Sequence, residues 1–389
     1  MKRSFAILLL SAAIAALPLV AQDRPAAKRQ DEAKPSAAEA IDFNAARKLL
    51  QRRQAGQKLS PDEEAYLRRA QEARRGAKGK AGGRERTVEG GKEKIGQKPL
   101  TDMSADDQYK GQDGGLYGKG RNTPPDEHQK AVEAELAKIE PLDAAGKPAK
   151  DGKIALVSIS MSNATQEFST FKRIADADPQ KSPLVAIVDC AQGGQAMAEW
   201  VDPQARPWQV ADSRLEQANV SAAQVQAAWI KLANKGPRGD LQEHGKKLER
   251  DTLAVIQNAK ARFPNLRVVY LGSRIYGGYS GGSLNPEPYA YESAFVVRWL
   301  IQNQMQGDAA LNYNASRGPV KAPVLVWGPY FWADGVTPRK DDGLVWNRTD
   351  LGPDGTHPSN AGREKVAKML LDYFKGDPLA KSWFAKAGR

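Results

Sequence analysis

Ile154-Ala155-Leu156-Val157-Ser158-Ile159-Ser160-Met161-Ser162-Asn163 is the stretch that decides how the chain is read. Six uncharged residues, mostly aliphatic, run without a polar alternation into a cluster of hydroxyls and an amide. A run of this length and character predicts a strand covered on both faces rather than one with a wet side. Four more such runs follow, Leu184–Cys190, Val225–Leu232, Leu266–Leu271 and Val324–Trp327. Helical spacing separates them, in Leu248, Val255, Ile256, Ala259 and Phe263 and again in Phe295, Trp299 and Leu300, while Val366, Met369, Leu370 and Phe374 mark a last helix. Strands that alternate with helices predict an α/β fold, a parallel five-stranded sheet between two helical layers. In such sheets ligands bind at the carboxyl ends of the strands, so the loops there carry the chemistry.

Outward from this core, residues 150–389 form the expected globular domain and 121–149 a connecting segment. Residues 1–21 open with Met1-Lys2-Arg3 and an apolar run from Phe5 to Leu17, the pattern of a secretory signal peptide. Residues 22–120 read as a basic, low-complexity linker, because too few large apolar side chains are present to offset the entropy of ordering. Within it a helical hairpin is expected near 42–75, where Ser60-Pro61-Asp62-Glu63 has the form of a capping box with proline in the first turn. The formal charge is +12, and residues 24–100 hold 20 Lys+Arg against 11 Asp+Glu. The basicity with almost no aromatic residues argues against nucleic acid and for contact with an anionic envelope surface, or for solvation alone. Cys190 is the only cysteine, and His128, His244 and His357 stand far apart. No intrachain disulfide is possible, and neither a metal nor another cofactor is expected.

Four motifs fall at strand ends. Ser162 follows the first strand, where taken alone it suits a helix cap better than a nucleophile. Gly193-Gly194 follows the second, where the backbone can approach a developing oxyanion, or simply turn. Asn234 follows the third, with a side-chain amide to offer or a turn to form. Near the C-terminus, Asp354-Gly355-Thr356-His357 places a carboxylate three residues before an imidazole. That spacing lets the acid fix the imidazole tautomer that takes a proton from a serine.

In this order the motifs resemble the SGNH hydrolases, also called GDSL-like esterases, over about residues 150–375. The resemblance implies a flavodoxin-like α/β/α sandwich, a catalytic set of Ser162, Asp354 and His357, and an oxyanion hole from Ser162, Gly194 and Asn234. Gly193-Gly194-Gln195-Ala196-Met197-Ala198-Glu199-Trp200 further looks like the glycine block of the carbohydrate-acetylesterase branch. Ser160-Met161-Ser162 stands where the family has Gly-Asp-Ser, and Leu232-Ala233-Asn234-Lys235 where it has Gly-x-Asn-Asp.

The expected function is an exported serine ester hydrolase removing acetyl or similar groups from a carbohydrate, with Trp200, Tyr279 and Trp332 as rings for stacking on sugar faces. The rival expectation is a non-catalytic glycan-binding or envelope-associated protein that keeps the fold. Residues 22–120 are expected to be dispensable for the chemistry.

Overall fold

The computed structural model describes residues 42, 45–46, 49, 52, 59–81 and 91–386. The expected signal peptide at 1–21 and the linker at 22–40 lie outside the described residues. The chain divides into two units, Met1–Glu85 and Arg86–Arg389. In the first, helix α1 spans Pro61–Ala81, past the expected end at Arg75. Its capping box forms as the sequence indicates: Glu63 N–H donates to Ser60 Oγ at 3.2 Å, and Ser60 N–H to Glu63 Oε2 at 2.8 Å. Ala46, Leu67 and Ala70 are buried together against Tyr66 and Leu59, which gives this unit a small core of its own. Of the first helix of the expected hairpin, residues 45–46, 49 and 52 are described and helical.

The second unit is the three-layer sandwich. Its strands are β1 Ile154–Ile159, β2 Val185–Asp189, β3 Val225–Lys231, β4 Val268–Gly272 and β5 Val324–Trp327, each within or almost within its apolar run. All pairings are parallel, in the order β2-β1-β3-β4-β5. Every residue of β1 and of β3 is buried, as a sheet covered on both faces requires. The helices of this unit are α2 Asp126–Leu136, α3 Ser162–Asp176, α4 Met197–Trp200, α5 Arg206–Gln217, α6 Leu241–Arg262, α7 Tyr289–Met305, α8 Asn360–Gly376 and α9 Lys381–Phe384. Helix α3 packs on α8, and α6 on α7, so that two helical pairs supply the outer layers. Among the described residues no helix is long and apolar enough to cross a membrane.

The expectation of an unstructured 91–120 is overturned. Leu100 is fully buried, and Met103 and Tyr117 nearly so, in the same core as the strands. The polar backbone of this arm is satisfied by side chains of the α/β unit: Ile95 and Gly96 N–H donate to Asp334 at 2.7 and 2.9 Å, and Leu100 N–H to Tyr330 Oη at 3.1 Å. Tyr109 Oη and Lys110 Nζ reach Glu292 at 2.6 and 2.7 Å, while Arg298 donates to the Asp113 carbonyl at 2.7 Å. Ile95, Tyr109 and Leu116 pack partly buried against the same core, and long-range hydrogen bonds supply the rest. Gly115, at φ +84, lies so close to Arg121 N and the Gly120 carbonyl carbon that a β-carbon there would stand 2.3 and 2.5 Å from them. The glycines that suggested a flexible linker therefore include one that allows a tight fold. Segment 121–149 likewise joins the unit: Leu142 exchanges hydrogen bonds with Lys153, and the α2 residue Val132 is fully buried.

Candidate active site

The strand-end loops converge on a cleft of about 260 Å³, lined among others by Ser162, Gly194, Asn234 and His357. Ser162 is the first residue of α3, and Met161 in the cap position makes no side-chain bond to the helix start. Ser162 therefore does not cap. Its Oγ stands 2.8 Å from His357 Nε2, and His357 Nδ1 stands 2.5 Å from Asp354 Oδ2. The other two serines of the strand are spent elsewhere and buried: Ser158 Oγ donates to Asp189 Oδ1 at 2.5 Å, and Ser160 Oγ to the Lys231 carbonyl.

The acid-histidine turn is held from three sides. Asp354 Oδ1 accepts the N–H groups of Thr356 and His357, both at 3.0 Å. Asn163, buried beside the nucleophile position, donates its amide to the Thr356 carbonyl at 2.9 Å, and Thr356 Oγ1 bonds Ser280 Oγ at 2.6 Å. Gly355 sits at φ +64 so close to the Tyr279 carbonyl oxygen that a β-carbon would stand 1.8 Å from it. No other residue fits there. Partial burial of Asp354 acts to raise its pKa, but the bonds from the His357 ring and from the two backbone N–H groups outweigh it and hold the carboxyl below its ordinary value. The acid thus stays ionised at neutral pH.

On the facing side, Gly194 has φ +77 and nothing within 4 Å of the place a β-carbon would take, so its backbone borders open space. Asn234 is fixed at both ends of its amide: Oδ1 accepts Ala198 N–H at 3.0 Å, and Nδ2 donates to Asp251 Oδ2 at 2.6 Å. An amide nitrogen carries two hydrogens, so a second donor is left over for the cleft. Asn285 Nδ2 bonds the Asn234 carbonyl at 3.3 Å and its Oδ1 accepts from Arg274 Nε at 3.2 Å. Serine after β1, glycine after β2, asparagine after β3 and Asp-x-x-His before the last long helix surround one cleft on a 2-1-3-4-5 sheet. The fold is the flavodoxin-like α/β/α sandwich that the resemblance implies.

No protein-family model matches the sequence, and no curated protein matches it. Solved structures with a similar fold include a protein of Bacteroides fragilis assigned as an acylhydrolase (14% identity, 66% of this chain and 100% of that one, TM-score 0.34). Two others are the periplasmic domain of a lipopolysaccharide acetyltransferase from Salmonella ser. Paratyphi A (13% identity, 63% and 94%, TM-score 0.30) and an extracellular lipase from Streptomyces rimosus (10% identity, 56% and 99%, TM-score 0.30). At these identities the likeness is one of fold alone.

The three rings expected to stack on sugar are not at the cleft. Trp200 and Trp332 are fully buried and Tyr279 is 3% exposed. Each packs against other rings and has its polar tip satisfied inside the protein: Trp200 by the Gln195 carbonyl, Tyr279 by the Trp346 carbonyl, Trp332 by Glu287. Conversely, Asn163 was read only as part of the strand exit, and Asp251 and Asn285 carried no signal of their own. Arg274 was within reach of the strand-end rule, since it lies just past the end of β4, at Gly272.

Proposed function

We propose that this chain is a serine ester hydrolase, and the observation that carries the proposal is the relay Ser162–His357–Asp354, closed at 2.8 and 2.5 Å on the rim of a cleft. His357 Nε2 takes the Ser162 proton as Oγ attacks the ester carbonyl, and Asp354 stabilises the imidazolium that forms. The oxyanion would be received by the N–H groups of Ser162 and Gly194 and by the uncommitted Asn234 amide hydrogen, and loss of one such donor typically costs about 10²–10³ in turnover. As the tetrahedral adduct collapses, His357 returns the proton to the leaving alcohol and leaves an acyl-Ser162. A water, deprotonated by His357, then releases the acid and restores the serine. A hydroxyl of an acceptor in place of that water would make the same site a transferase.

A cleft of about 260 Å³ favours a short acyl group such as acetyl. An acylated carbohydrate remains our choice of substrate on the glycine-block resemblance, and export on the character of residues 1–21; stacking rings lend it no support. Labelling with a fluorophosphonate tests the reading against a non-catalytic binding protein. The wild-type chain should react and Ser162→Ala should not, with an unchanged thermal midpoint. A wild type that resists labelling and releases no acetate from acetylated polysaccharides would sink the esterase reading.

A further inference from the structure

Among the described residues of the α/β unit three arginines are buried, and they differ in what they hold. Arg298, at 2% exposure, donates to the carbonyls of Asp113 and Gly115 and pairs with the Asp113 carboxylate at 3.0 Å. Arg339, at 6%, pairs with Asp342 and donates to the carbonyls of Tyr330 and Trp332. Arg274, at 2%, has only the Nε bond to Asn285 Oδ1; among the described residues its two η nitrogens make no hydrogen bond and no ion pair. Yet this guanidinium lines the cleft that holds Ser162 and His357.

The surrounding carboxylates have partners of their own, although the buried Glu167 Oε1 accepts no hydrogen bond. Glu167 is paired with Lys231 at 2.5 Å, and Glu287 accepts from Gly277 N–H, Tyr291 N–H and Trp332 Nε1 at 2.8 to 2.9 Å. Asp354 holds His357, and Glu199 pairs with Lys235, the other cation of the cleft, at 2.6 Å. A guanidinium cannot shed its charge under ordinary conditions, so burying one with four free N–H donors costs solvation that the through-space attraction of Glu167, Glu287 and Asp354 returns only in part. An anion entering the cleft would return the rest. The planar fork of two η nitrogens matches a carboxylate, with two parallel charge-assisted hydrogen bonds.

We infer that Arg274 is a substrate-binding residue that receives a carboxylate, so that the preferred substrates are esters bearing one close to the scissile bond. The inference rests on the esterase reading and narrows its substrate class. The carboxylate can sit on the acyl side, as in a half-ester of a dicarboxylic acid, or on the alcohol side, as in an acylated uronic acid. A site built to pair with a group discriminates sharply against analogues that lack it, because its own donors are then left unpaired.

Two substrate pairs separate the sources: ethyl hydrogen succinate against ethyl butyrate, and O-acetylglucuronate against O-acetylglucose. The full chain should prefer the charged member of one pair by about 10- to 100-fold in kcat/KM, the range expected for hydrogen bonds to a charged group. Arg274→Met should lose far more on the charged member than on the neutral one, and Arg274→Lys should recover part of the preference. Equal rates within both pairs, or an equal loss on charged and neutral esters in Arg274→Met, would overturn the inference and leave Arg274 a structural counter-charge. If that variant does not fold, glutarate and glucuronate are tested as competitive inhibitors of ethyl butyrate hydrolysis by the wild type, and inhibition by neither counts against it. Should the wild type cleave no ester at all, the thermal shift on adding glutarate or glucuronate still decides: a shift present in the wild type, reduced in Arg274→Lys and lost in Arg274→Met supports the carboxylate site, and no shift refutes it.

Discussion

The strand-end loops around Ser162 and the arm at 91–120 are both irregular, both rich in small and polar residues, and both tied down by hydrogen bonds across long sequence distances. They differ in where the bonds lead. Around Ser162, Asn163 on α3, Asp251 on α6 and the loop residue Asn285 hold other polar groups at a cleft, so the bonds shape a candidate site. In the arm, Asp334, Glu292, Arg298 and Tyr330 neutralise backbone and side chains of the arm itself, so the bonds complete the fold. Irregular sequence is thus not one class, and what separates the two is the identity of the partner, which lies about 180 to 240 residues away for the arm.

The largest effect should come from removing the arm. A chain beginning at 121 loses Leu100, Met103 and Tyr117 from the core and strips two donors from buried Glu292, whose remaining bond is to His244. A buried carboxylate stripped of two of its three partners and an opened core are each severe, and together they should abolish cooperative unfolding. A chain beginning at 86 should keep the native midpoint and full turnover. If circular dichroism shows the 121 chain melting like the 86 chain, the arm is an accessory and the contrast drawn here fails.

Asp354→Asn should break the other side of the comparison. Turnover should fall by about 10⁴ because the tautomer of His357 is no longer fixed. Stability should barely move, since about half of the Asp354 side chain still faces solvent, at 52% exposure, and its partners belong to its own turn. Steady-state kinetics beside a thermal melt measure both, and normal turnover would remove Asp354 from the mechanism.

How much was legible follows the same division. The five strands could be read because continuous apolar runs have one explanation, burial on both faces, and Ser162, Gly194, Asn234, Asp354 and His357 because the sheet brings its strand ends together. The arm could not, because Ile95 and Gly96 carry no sign that Asp334 will meet them. Nor could the rings: Trp200, Tyr279 and Trp332 lie in segments that turn inward, and composition does not say which way a loop faces.

Glu287 sits where the two regions meet, since the loop it holds through Gly277 N–H also receives the arm at Gly278, whose carbonyl accepts Lys92 N–H at 2.8 Å. Burial pushes its carboxyl up to about 7 against the lowering effect of its three N–H donors. Its folded pKa lies above the unfolded one, so between them the native state keeps a proton that the unfolded chain has released. The contribution to stability is therefore complete below the ordinary carboxyl range and is lost as pH rises through about 7. A loss on the order of 3 kcal/mol follows from a shift of this size. Denaturant melts from pH 4 to 8 should show a steeper decline for the wild type than for Glu287→Gln, and parallel profiles would refute the assignment.

The smallest effect concerns Ser160, the one residue of the first strand exit whose backbone is unusual. Its φ is 156°, in a region that glycine occupies far more readily than other residues, and it stands where the resemblance has glycine. The serine is retained at this angle with two polar contacts, from Oγ to the Lys231 carbonyl on neighbouring β3 and to Met161 Sδ. Its own carbonyl accepts Gln192 N–H at 2.9 Å, which ties the exit of β1 to the loop after β2. Ser160→Ala keeps the β-carbon and its strain but loses the hydroxyl bond, so stability should fall by about 1 kcal/mol. Ser160→Gly loses the same bond but also relieves the strain, and the two changes, each on the order of 1 kcal/mol, should nearly cancel. The order of stability predicted from chemical denaturation is therefore wild type equal to or slightly above glycine, and both above alanine. If alanine matches the wild type while glycine is clearly less stable, the hydroxyl bond is worth nothing and the backbone at 160 is unstrained. Ser162 would then be presented by the helix start alone rather than by a strand exit braced against β3.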